Sequence, residues 1–190
     1  HPNNLSLIRQ KVSKGAGLLL MGGYHSFDAG GYGNTTLAPA FPVVLGKGRS
    51  QAFDQLIDPN FQTFVPTRIK LLSEHPITSL VPEPENGKAW ENLEPLMSIN
   101  RLGKPKVEPG VKVLAASEKG EPILVTGEFG TGRVLAFAGD TTWRWWMSGD
   151  KQIHKQFWRQ AVLWLLRRDA LDEGFLMKLD RRRLSIDDTT

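Results

Sequence analysis

The chain contains no cysteine. It therefore has no disulfide, no thiolate metal site and no cysteine nucleophile, and it carries no mark of its redox compartment. Long hydrophobic runs are missing too: no apolar stretch approaches the ~20 residues of a spanning helix, and none reads as a signal peptide. Neither sign of charge dominates, since 24 Lys and Arg against 20 Asp and Glu leave a net charge of +4. Much of that excess lies in Arg167, Arg168, Lys178 and residues 181–183, around a helix end and a following strand, where cations complement the helix dipole or face solvent. Nucleic acid is accordingly not an expected partner, and direct membrane insertion by this segment is not expected. What remains, 190 residues with 40% hydrophobic and 23% charged, is enough for one globular domain with its own core. The chain opens at His1-Pro2 and ends Asp-Asp-Thr-Thr, and it reads as a piece of a longer protein.

Leu5, Ile8 and Val12 recur at helical spacing over residues 4–14, and Gly15 and Gly17 end that helix. Residues 17–23 follow as a short apolar run, the form of a strand buried on both faces of a parallel sheet. Residues 24–40, centred on Gly30-Gly31-Tyr32-Gly33, predict a long loop at the C-terminal end of that strand, where open α/β sheets build their ligand crevices. Residues 41–45 and 68–72 read as short strands, and residues 81–88 as an irregular connection. Residues 111–116, 122–127 and 133–138 predict three strands in an antiparallel meander, with Lys119-Gly120 and Gly130-Thr131-Gly132 as turns. From Asp150 to Arg168 a helix carries Ile153, Phe157, Ala161, Trp164 and Leu165 on one stripe, widened by Trp158 and Val162. Residues 174–186 alternate weakly, as a strand would. The expected division is a domain over residues 1–170, with 171–190 a linker and the start of a following β domain.

Gly127 to Arg133 contains a Gly-x-Gly, but a strand follows it where a phosphate loop requires a helix N-terminus, so a hairpin turn is the expectation. Five of the six tryptophans fall between Trp143 and Trp164. Trp158 and Trp164 predict core packing, whereas Trp143, Trp145 and Trp146 sit in an expected loop where rings can stack on a ligand. His25 follows Gly22-Gly23-Tyr24 at the strand end, and His154 opens the last helix. With Asp28 and Asp140 these histidines have the donors for a metal, but no pair shows a diagnostic spacing, and no metal or cofactor is expected. The glycine turn after the strand has the logic of a nucleophile elbow and offers Tyr24, His25 and Ser26. Ser26 and its neighbour His25 point in opposite directions on extended backbone, which leaves His154, oriented by Asp140 or Glu128, as the remaining candidate base.

Gly17-Leu-Leu-Leu-Met-Gly-Gly-Tyr-His-Ser-Phe27, Gly30-Gly-Tyr32, Asn100-Arg-Leu-Gly-Lys-Pro105, the stretch from Gly130 to Trp146, and His154-Lys-x-Phe-Trp-Arg159 together resemble the family described as Putative glutamine amidotransferase. The resemblance covers residues 1 to about 170 and extends to the trehalose-utilisation family. It implies the three-layer, flavodoxin-like α/β core of class I amidotransferases, with parallel strands plus the antiparallel meander, lacking its first strands here. It also implies a cysteine in the glycine elbow and a His with a Glu after a late strand. Here the elbow reads Tyr24-His25-Ser26 and the late slot reads Asp140-Thr141-Thr142-Trp143, so thiolate glutaminase chemistry has no nucleophile in this chain. Related chains carry the domain inside long membrane-anchored proteins, which implies partners among the other domains of one parent protein. The expectation is a catalytically inactive binding or interaction module, open to a small-molecule ligand, with a crevice of Tyr24, His25, Ser26, Asp28, Tyr32, Asp140, Thr141, Trp143 and Trp145. The alternative is a hydrolase acting on a carbohydrate or amide through His25, Ser26, Asp140 and His154.

Overall fold

The computed structural model describes residues 2–168 of the chain. The expected strand at 174–186 and the boundary near 170 lie outside the described residues. Helix α1 (Pro2–Ser13) is closed by Gly15, whose N–H bonds the Val12 carbonyl at 2.9 Å while Ala16 N–H bonds that of Lys11 at 3.1 Å. Strand β1 (Leu18–Met21) follows at once and runs parallel to β7 (Gly132–Phe137), Leu18 opposite Val134 and Met21 opposite Phe137. Strands β5 (Lys112–Ala116) and β6 (Pro122–Phe129) complete the antiparallel meander with β7. The tight β6–β7 turn rests on Gly130, at φ +60°. Strand β3 (Lys70–Leu71) pairs antiparallel with β5, giving a mixed sheet in the order β1-β7-β6-β5-β3. A separate two-stranded ribbon joins β2 (Gln62–Thr63) to β4 (Ile99–Asn100).

The meander is buried on both faces, which its apolar content requires: Ile123, Leu124, Val125 and Val134 to Ala138 are all inaccessible. Phe137 packs against Phe157 and Trp158 of helix α4 (Lys151–Leu165). Register places Leu124 beside Phe137 and Gly127 beside Val134, so Gly127 belongs to the opposite face. Pro42 closes on Gly127 there, and Val12 of α1 closes on Gly132, which shares that face. The result is the expected three-layer α/β arrangement, with α4 on one side of the sheet and α1 with the 37–43 segment on the other.

Six local expectations are corrected. Strand β1 is an edge strand, half-buried along its length with Met21 exposed, because nothing pairs with its outer side among the described residues. Residues 41–45 form no strand: only Val43 makes a bridge, to Pro105, since the glycines at 46 and 48 turn the chain away. The 24–40 loop contains two 3-10 turns, Tyr32–Asn34 and Ala38–Ala40. The irregular stretch at 81–88 ends in helix α2 (Asn86–Asn92), nucleated by Asn86 Oδ1 accepting from Leu80 N and by Trp90 Nε1 donating to the Thr78 carbonyl. The tryptophan loop is a short helix, α3 (Trp143–Met147). On α4, Trp164 is buried as expected, whereas Val162 faces outward.

Candidate functional site

The glycine elbow begins where β1 ends. Gly22 N–H continues the ladder to the Phe137 carbonyl at 2.8 Å, and a side chain on Gly22 would overlap the Ala138 carbonyl and reach Asn100 Oδ1. Asn100, buried in β4, holds the next residue: Oδ1 accepts from Gly23 N at 2.7 Å and Nδ2 donates to the Gly23 carbonyl at 3.0 Å. Asn100 N–H reaches across to the Ala138 carbonyl at 2.9 Å, and Ile99 bridges Gly139. The C-terminal ends of the parallel pair, where a crevice is expected, are therefore bridged by the chain's own β4. Asn100 is the residue on which this arrangement turns, and in the sequence it stands out only within the Asn100-Arg-Leu-Gly-Lys-Pro105 motif.

The predicted residues separate into two groups. At the elbow, the His25 ring lies on Phe53 at 3.8 Å between centroids and meets Tyr24 edge-on at 4.3 Å, while its Nε2 is buried with no hydrogen-bond partner among the described residues. The Tyr24 hydroxyl donates to the Gln55 carbonyl. Asp28 is a latch: Oδ1 accepts from Gly46 N at 2.8 Å and Oδ2 pairs with Arg49 Nε at 3.2 Å, which ties the 46–55 segment over the elbow. Ser26 and Tyr32 line an apolar cavity of about 230 Å³ with Leu5, Ile8, Leu20 and Phe41. Phe27 has positive φ, +54°, which is strained for a side chain of that bulk. It is 2% exposed and packs on Phe41.

The second group surrounds α3. Asp140 is exposed, Thr141 Oγ1 accepts from Met97 N at 3.1 Å, and Trp143 projects to solvent. Trp145 is fully buried, so its place among the ligand-binding residues is corrected: its Nε1 donates to the Glu94 carbonyl at 2.8 Å and its ring fills the space beside Trp90 and Phe157. His154 lies among Trp145, Trp146 and Trp158, with centroids 5.9–6.5 Å away. Burial lowers its pKa below the ordinary imidazole value. His25 and His154 thus sit in separate aromatic clusters. Among the described residues no group of three His, Cys, Asp or Glu side chains is placed to hold a metal ion.

The sequence reading missed a cleft of about 810 Å³ between residues 74–83 and Gln156, Arg159 and Gln160 of α4. No predicted residue lines it. Its only sequence signal is the polar i, i+3, i+4 row on one helix face.

With the geometry in place, comparison with known proteins gives a consistent match. The family model described as Putative glutamine amidotransferase matches residues 1–167. Cytoplasmic Protein STM1381 from Salmonella typhimurium LT2 is 27% identical, with a TM-score of 0.61, over 85% of this chain and 60% of that one. Cytoplasmic Protein STM3548 from Salmonella typhimurium is 22% identical, with a TM-score of 0.62, over 85% of this chain and 59% of its own, and shows the shared fold. The chain thus spans about three fifths of each of these proteins. No curated protein matches it. Among the described residues no helix is long and apolar enough to cross a membrane.

Proposed function

This chain belongs to the Putative glutamine amidotransferase family, and from that premise we propose that it is a catalytically inactive member, a binding or interaction module of a larger, membrane-associated protein. The observation that carries the reading is the identity of the strained residue at the elbow. A nucleophile elbow uses its strained turn to raise a reactive side chain above the sheet. At this elbow the non-glycine residue with positive φ is Phe27, which is buried in the core. Ser26 has no histidine ring set against it by any described contact, His25 is engaged with Tyr24 and Phe53, and cysteine is absent from the chain. The larger, membrane-associated parent rests on the sequence resemblance, and other domains of that parent are the proposed partners.

Ammonia release from L-glutamine tests the proposal. The expected result is release no faster than in buffer. Clear release that disappears in Ser26→Ala or His25→Ala would overturn it. One observation favours the second reading, a hydrolase acting on a carbohydrate or amide: burial shifts His154 toward its neutral form, the one a general base requires. Among the described residues its ring partners are Trp145, Trp146 and Trp158, none of which is a nucleophile.

A further inference from the structure

Helix α3 exposes side chains that folding does not account for. Trp143 is 55% exposed and Met147 74%, with Trp146 also at the surface, while Trp145 between them is fixed in the core. That anchor presents the outer rings on a rigid support, so they lose little conformational freedom on docking, and Trp is the residue type most enriched at the energetic centres of interfaces. The rings carry cations: Lys151 Nζ and Lys155 Nζ lie 5.8 and 5.3 Å from the centre of Trp146, and the Arg144 guanidinium lies 5.9 Å from that of Trp143. Among the described residues none of these three takes part in an ion pair, and Arg144 Nε is buried without an acceptor. Of the flanking acids, Asp150 stands at the start of α4, where the helix dipole already favours negative charge. Asp140 is exposed at the other end of the segment.

An apolar centre with a cationic rim selects its complement. We infer that Trp143, Trp146 and Met147, rimmed by Arg144, Lys151 and Lys155, form a docking surface for an acidic segment of a partner protein, which lays an apolar side chain on the rings and sets carboxylates against the lysines. The inference rests on the interaction-module reading and gives it a surface and a partner chemistry.

The test titrates the protein with two short synthetic peptides sharing the same apolar residues, one rich in Glu and the other in Lys, and follows tryptophan emission. Vesicles containing anionic lipid form a third arm. The Glu peptide is expected to give a saturable shift that weakens steeply as salt is raised, with no shift from the Lys peptide. Joint substitution Trp143→Ala and Met147→Ala, the two most exposed side chains of the surface, is expected to remove most of the response of the remaining Trp146 with circular dichroism and unfolding midpoint unchanged. Joint substitution Lys151→Glu and Lys155→Glu is expected to transfer the preference to the Lys peptide. Equal response to both peptides, no saturable response, indifference to the substitutions, or binding to vesicles in preference to the Glu peptide would overturn it. Absence of peptide binding together with absence of ammonia release removes only this surface, whereas ammonia release removes the reading beneath it.

Discussion

His154 carries a pH dependence whose sign follows from its surroundings. The imidazole is partly buried among three tryptophans, and burial disfavours the charged form, so its pKa in the folded protein lies below the roughly 6.5 of an unfolded chain. Between those two values the unfolded state binds more protons than the folded state. Stability is therefore full above about pH 6.5 and declines as pH falls through the window toward the folded pKa. Thermal midpoints measured across mildly acidic buffers should drop on acidification, and His154→Gln should flatten that slope. An unchanged slope would mean that other groups control it. The sequence nominates His154 as a titrating residue, but its direction of shift depends on Trp145 and Trp146 folding over it. Asn100 makes the same point: its type suggests hydrogen bonding, yet only β4 crossing the sheet end brings its amide to both backbone groups of Gly23.

At the scale of elements, α3 divides its tryptophans by direction. Trp145→Ala removes a fully buried ring and strands the Glu94 carbonyl, a loss of about 3–5 kcal/mol in urea unfolding. Trp143→Ala should stay within about 0.5 kcal/mol, as exposed positions do. Equal costs would mean that the helix is not seated as described. The meander and α4 were legible from the sequence because alternation over β5 to β7 and the 153–165 stripe repeat often enough to reveal a period. Helices α2 and α3, of seven and five residues, are too short for a 3.6-residue period to show. The apolar run of β1 was legible as a strand, but its composition is equally that of a central or an edge strand.

Across the whole molecule, sheet order predicts a gradient of local stability. Strands β6 and β7 are paired on both sides and covered on both faces, whereas among the described residues β1 pairs with β7 alone. Amide exchange should be slowest in β6 and β7 and measurably faster in β1. Equal protection across these strands would contradict the edge placement. The same layout explains the separation of the predicted site residues: the elbow group is held by the 46–55 segment and the α3 group by α4, with β4 between the strand ends.

The sequence by itself determined the chemistry that is missing and the elements that repeat. Without cysteine there is no thiolate, whatever the fold, and periodic burial in the meander and α4 follows from local side-chain spacing. Only the tertiary structure decided which candidates are surface and which are core. Trp143 and Trp145 differ by two positions, and on a helix that is about 200° of rotation, enough to send one ring into solvent and the other against Trp90 and Phe157. Phe27 at the elbow was decided in the same way, since its positive φ and its packing on Phe41 are not properties of any residue type.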